Sequence, residues 1–158
     1  MIHTTFANKC LQLAIAKTNS IDGNGACYLG FSSTEPIKSG SNFTEPLKTT
    51  YPSYARIQLA ITNALDYTDM WGTAANGSVS NAKEFVSKEC AEEGGWPEFS
   101  HFGIFDCKEG GTPIISGVLR DPDGTPDEVT GLLPAKTMTV GKGEVAVFRV
   151  GTLQLTFE

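Results

Sequence analysis

The sequence predicts a mainly β protein, an antiparallel β-sandwich of jelly-roll or Ig-like type with a short N-terminal α-helix. Three observations lead there. From Phe99 to Asp106 the side chains alternate, with Phe99, His101, Gly103 and Phe105 on one face and Ser100, Phe102, Ile104 and Asp106 on the other, as the two-residue strand period requires. Both faces carry apolar groups, so this strand sits inside a sandwich or under a neighbouring subunit. Seventeen Gly and eight Pro in 158 residues favour short strands over long helices. Finally, seven or so strand-like segments recur at turn-punctuated spacing, the pattern of a sandwich.

Taken in order, Phe6, Cys10, Leu13 and Ala14 fall at helical spacing, and residues 1–18 are read as a short helical segment of a single domain covering 1–158. Ala26 to Phe31 reads as a buried strand, followed by a Ser/Thr/Pro/Gly loop through Pro46. Tyr54 to Ile61 alternates; Ala55, Ile57, Leu59 and Ile61 form its drier face, opposed to Tyr54, Arg56, Gln58 and Ala60. Asn81 to Val86 is read as a short strand. Gly110-Gly111 makes a hairpin-type turn into a strand from Pro113 to Leu119, where the initial Pro is acceptable. An acidic loop, Asp121 to Glu128, precedes Lys136–Val140, a turn at Gly141–Glu144, then Val145–Val150 and Leu153–Phe157, all strand-like.

Composition narrows the function classes. At 16.9 kDa the chain is long enough to bury roughly two thirds of its unfolded surface in one domain. A net charge of -6 and a pI near 4.9 speak against a nucleic-acid partner, which needs a basic face, and against anionic membranes. No apolar run approaches the roughly 20 residues of a membrane span, and Leu11–Ala16, interrupted by Gln12, makes a poor secretory core. The expectation is a soluble protein with neither nucleic acid nor membrane as partner. Two acceptor patterns for glycosylation, at Asn42 and Asn76, decide nothing without secretion.

Candidate chemistry is sparse. Cys10, Cys27, Cys90 and Cys107 contain no C-x-x-C pair and only two His accompany them, so no structural zinc site is expected. The four thiols pack as small hydrophobes, or form disulfides or cross-links between subunits in an oxidising setting. His101 with Cys90, Cys107 and Asp106 invites a nucleophilic triad, but His101 and Asp106 point to opposite faces of the strand, and a hydrogen-bonded His in a sheet or interface is preferred. Asp121, Asp123, Asp127 and Glu128 lack the ligand spacing of an EF-hand, leaving a solvated acidic turn. No catalytic residue, metal or cofactor is expected. Arg56, the one charge in an apolar strand, is read as pairing across the sheet or at a subunit contact. Trp71, Trp96 and Phe99 are read as core or interface anchors in preference to a sugar-stacking platform.

Several segments carry a resemblance: Tyr28-Leu29-Gly30-Phe31-Ser32-Ser33-Thr34-Glu35-Pro36, Thr44-Glu45-Pro46, Tyr54-Ala55-Arg56-Ile57, Gly95-Trp96 to Asp106, and Leu133-Pro134-Ala135-Lys136-Thr137 with Val140-Gly141-Lys142-Gly143. In this order they resemble a family of small tailed-bacteriophage virion proteins, of tail fibre or capsid decoration type, over most of Tyr28 to Glu158. The chain departs from the family pattern at Thr49–Ser53 and in the Asp121–Glu128 loop, which looks like an insertion. The resemblance implies a non-enzymatic, oligomeric part of the particle, made in the host cytoplasm and resident in the virion. A compact chain without a fibrous repeat is too short to build a shaft. The leading expectation is therefore a homotrimeric decoration or cement protein on the major capsid protein, with a tail fibre or tail-tip subunit and a carbohydrate-binding module as alternatives. Tyr54, Arg56, Trp96, Phe99, His101 and Phe102 are the interface candidates.

Overall fold

The computed structural model describes residues 27–37, 39–59, 71–73 and 75–156. Eight strands are present: β1 (Tyr28–Ser32), β2 (Ile57–Gln58), β3 (Ser78–Ser80), β4 (Phe85–Val86), β5 (His101–Phe105), β6 (Ile115–Val118), β7 (Val147–Phe148) and β8 (Gln154–Thr156). They form a four-stranded sheet of order β2-β1-β5-β6 and two ribbons, β3-β8 and β4-β7, all antiparallel. Among the described residues there is no helix, and hence none long and apolar enough to cross a membrane. The helical segment expected at 1–18 lies outside the described residues, as do Ala60, Ile61 and Phe157.

The expected strand at 99–106 is the centre of the sheet. β5 pairs with all five residues of β1, and through the Gly110-Gly111 turn, both glycines at positive φ, with β6. Leu29, Phe31, Phe102 and Ile104 point into the main core together with Ile57 of β2. Phe31 touches Phe99 at 5.3 Å between ring centroids and stacks on Phe148 of β7 at 5.8 Å, which fastens the β4-β7 ribbon over this face. Trp71 meets Phe85 at 5.7 Å at the far side of the same core.

The other face of β1 and β5 is covered too, because Gly30 and Gly103 face each other in register and leave a slot. Phe43 fills it from above, its ring edge-on to Phe105 at 5.3 Å. A methyl group at Gly103 would sit 2.7 Å from the Phe43 ring, and one at Gly30 would meet the Glu45 carboxylate. These are close approaches that only glycine permits.

Several expected strands are shorter than their hydrophobic pattern, including Val145–Val150, where only Val147–Phe148 joins a ladder; for three others the reason is identifiable. Among the described residues of the Tyr54–Ile61 segment, only Ile57–Gln58 joins a ladder, and Tyr54 and Arg56, expected on its wetter face, are buried because their polar ends find a partner inside the chain. In the Asn81–Val86 segment, Asn81 bridges Trp71 and its Nδ2 donates to Lys83 O at 2.7 Å, which bends the chain outward before β4. Lys136–Val140 makes a single bridge, Met138 to Phe99; Pro97 lacks the N–H that would extend it toward the Trp96 N to Val140 O bond.

Buried side chains replace the missing ladders. Asn81, 1% exposed, donates to Arg149 O at 2.9 Å and accepts from Leu153 N at 2.9 Å, pinning the turn between β7 and β8. Ser87 accepts from Ala146 N at 2.9 Å and donates to Lys88 O at 2.7 Å. Ser32 accepts from Thr44 N at 2.8 Å and thereby docks the 42–46 segment onto β1.

Gly103→Ala should destabilise the protein by about 1–3 kcal/mol through overpacking against Phe43, read as a lower midpoint in urea. Gly94→Ala, where an added methyl meets nothing within 4 Å, is the matched control and should leave the midpoint unchanged or raised. Equal midpoints for the two variants would show that Phe43 does not depend on the slot.

Candidate functional site

A groove of about 470 Å³ lies between the 43–48 segment, residues 54–56 and the turn at 108–110. Its position follows from the local bonds. Asn42 adopts φ 67° with its Nδ2 on Glu35 O at 2.9 Å, and Thr34 Oγ1 donates to Asn42 O at 2.5 Å, so the loop closes on itself and delivers Glu45 over Gly30. Arg56 reaches the carboxylate from β2's leading edge: Nε lies 3.0 Å from Glu45 Oε1 and Nη2 2.5 Å from Oε2. The remaining guanidinium donors go to Cys107 O and Gly110 O, both at 2.8 Å, while its plane lies 3.3 Å over the Phe105 ring. Tyr54 OH accepts from Phe31 N at 2.9 Å and donates to Glu45 Oε1 at 3.0 Å.

The electrostatics follow from that closure. Burial by itself pulls the Arg56 pKa down, but the bonded Glu45 carboxylate outweighs it and the guanidinium is held above its ordinary value. Burial, then the Glu45 charge, pushes the Tyr54 phenol well up. Chemically the arrangement is a clamp joining three segments. Above it the groove walls are Phe43, Pro46, Leu47 and Ala55, and Lys48 pairs with Glu109 at the mouth.

A second polar knot stands beside it. Glu92 accepts from Ser53 N at 2.9 Å, from the Ser53 hydroxyl, from Trp96 Nε1 at 3.0 Å and from Cys90 Sγ at 3.4 Å. The Ser53 hydrogen bonds hold its carboxyl at about 2, well below the ordinary 4.5.

The interface candidates are placed mostly inside the chain. Tyr54 (4% exposed), Trp96 (4%), Phe99 (0%), Phe102 and Arg56 (both 9%) are buried within the chain itself. Trp71, Trp96 and Phe99 are buried and offer no sugar-stacking platform, because their rings complete the aromatic core. His101 alone among the candidates is half-exposed; its Nδ1 meets Ser100 Oγ at 2.8 Å beside a smaller hollow of about 270 Å³ lined by Glu35, Val118, Lys136 and Thr137.

Cys10 lies outside the described residues. Cys27 is buried, its thiol pushed up to about 11 by burial and by Asp106. Cys90 and Cys107 are free thiols; Cys90 is buried, whereas Cys107 is half-exposed beside Gly110 O at 3.2 Å. Sequence reasoning missed Glu45 as the partner of Arg56 and missed Glu92 altogether. The Thr44-Glu45-Pro46 segment offered one signal, a carboxylate within a loop that must return to the sheet.

Arg56→Met should cost about 3 kcal/mol, because it leaves the Glu45 carboxylate partly buried without its cation, and Arg56→Met/Glu45→Met should recover part of that loss in urea denaturation. A double variant no more stable than the single would place the energy elsewhere. The Glu92 carboxyl is depressed in the folded state, so its stabilisation is complete above pH 4.5 and lost as pH falls from 4.5 toward 2. The wild-type denaturation midpoint should drop across that window, and Glu92→Gln should flatten the drop.

A protein-family model described as Podophage GP4 fiber I protein gp80 matches residues 1–156. No curated protein matches the chain. The matched span takes in the β1–β5–β6 sheet, the Glu45–Arg56 clamp and the 120–136 loop alike, so the family signature extends over the whole architecture described above. The chain belongs to the podophage GP4 fiber I protein gp80 family, a tailed-phage fibre family.

Proposed function

We propose that this protein is a non-enzymatic structural subunit of a podophage tail fibre, working as a homo-oligomer, with a trimer as the expected form. The observation that carries this reading is the family match over residues 1–156, whose description names a fibre protein. It moves the tail ahead of the capsid, which the sequence alone had favoured. The clamp is in keeping with a structural role, since Glu45 and Arg56 direct their polar atoms at Tyr54 and at backbone carbonyls inside the chain. The stacking of Phe31 on Phe148, which lays the β4-β7 ribbon over the main sheet, supports the sandwich as the finer description of the fold. The partners are other copies of this chain and neighbouring tail proteins; the subunit uses neither cofactor nor nucleic acid.

A decoration or cement protein bound to the major capsid protein is the second reading, supported by the short strands of the described residues, which build sheets and ribbons and no repeating shaft. Quantitative mass spectrometry of purified particles separates the two. A handful of copies per particle, recovered with the tail, is the expected result. A ratio within a few-fold of the major capsid protein would mean decoration of the head, and absence from particles would overturn the virion role.

A further inference from the structure

We propose that the loop at 120–136 is an assembly arm whose tip inserts into the Phe43–Lys48 groove of the next copy of this chain. This rests on the reading of the protein as an oligomeric subunit and names the surfaces that would meet.

The arm is ordered by its own bonds. At its base Lys136 N donates to Leu119 O and Asp121 N to Pro134 O, both at 2.9 Å, and Lys136 Nζ pairs with Asp121 Oδ1 at 3.0 Å. At its tip Asp127 N donates to Leu132 O at 2.9 Å, while Asp127 Oδ1 accepts from Val129 N, Thr130 N and Thr130 Oγ1. Those bonds fix an apolar pair in water: Val129 is 93% exposed and Leu132 46%. A single exposed Val is ordinary. An exposed Val held on a tip that is already ordered is different, because such a tip loses little conformational entropy on docking.

The groove is complementary in chemistry and sign. Phe43, Pro46, Leu47 and Ala55 give it apolar walls, with Leu47 70% exposed. Three cations, Lys48, Arg56 and Lys108, line it against two carboxylates, Glu45 and Glu109, so the groove is positive by one charge. The arm tip carries Asp127 and Glu128 beside Val129. An acidic, apolar-tipped arm thus matches an apolar groove with surplus positive charge, on two different surfaces of the same chain. Such a contact is heterologous, each copy giving its arm to one neighbour and its groove to the other, and contacts of this kind build a ring where the rotation between copies closes and a filament where it does not. Opposite charge at the rim fixes the direction of docking and speeds encounter.

The test mixes full-length Val129→Cys with full-length Leu47→Cys under a mild oxidant, followed by peptide mapping of the disulfide. The expected product joins residue 129 of one chain to residue 47 of another, and each variant alone fails to give it. In parallel, Glu128→Lys and Lys108→Glu, both at exposed positions, should each raise the subunit dissociation constant roughly ten-fold, and the two together should restore most of it. An oligomer that forms without the 129–47 link and ignores both charge reversals would overturn the arm while leaving the fibre role standing. A wild-type chain that is monomeric at all concentrations would overturn it as well. Absence of the protein from purified particles would instead overturn the fibre role, and would leave the 129–47 link to be judged on its own result.

Discussion

Arg56 lies flat on Phe105 and holds Glu45 with one edge of its guanidinium and the turn after β5 with the other. Each bond ties a different stretch of chain to the sheet: the returning loop at 42–46, the leading edge of β2, and the 107–111 turn. With its side chain 3% exposed, Arg56 has no water to replace a lost partner, so the three segments are coupled through one cation. The Gly30 and Gly103 pair makes this possible, since the slot between them is where Phe43 and the Glu45 carboxylate fit. Two absent side chains on neighbouring strands therefore decide what the second face of the sheet can carry.

Outside that sheet the ladders are brief, two or three residues in β3, β4, β7 and β8. Cohesion there comes from buried polar side chains that bond backbone at a distance. Asn81 ties together segments some seventy residues apart in sequence, and Ser87 does so across fifty-nine. Such bonds are worth little net when made but costly when one partner is lost in a dry site. They hold a particular path of chain in place more than they add to overall stability. A protein built this way keeps its loops in register while leaving their outer surfaces in water.

The outer surfaces divide along the same lines. The face of the main sheet that carries Phe31 is closed by the β4-β7 ribbon, and the opposite face by Phe43 and the clamp. Among the described residues, exposed large apolar side chains sit on loops and ribbon edges, Leu47, Val129, Leu132, Val147 and Val150 among them. The core is finished within the chain, and any contact with a partner would draw on side chains that folding left in water.

The sequence by itself determined the mainly β character of the described region, the central alternating segment from Phe99 to Asp106 that holds β5, the hairpin at Gly110-Gly111 and the buried segment from Ala26 to Phe31 that holds most of β1. All of these depend on side-chain period and turn chemistry between near neighbours, which a linear pattern records directly. The ordered motifs also pointed to a phage virion family. Tertiary structure decided the rest. Trp96 and Phe99 were open between core and interface, and Tyr54 and Phe102 were interface candidates; the fold buries all four by bringing distant rings around them. Arg56 was read as paired, yet its partner Glu45 sits in a loop and reaches it only because two glycines, seventy-three positions apart, meet across a ladder. Glu92 was missed because the partner that holds its carboxyl down, Ser53, lies far away in the chain, although Trp96 and Cys90 bond it from nearby. Spacing along a strand fixes which way a side chain points, but what it meets depends on the closure of long loops, and that is a property of the folded chain alone.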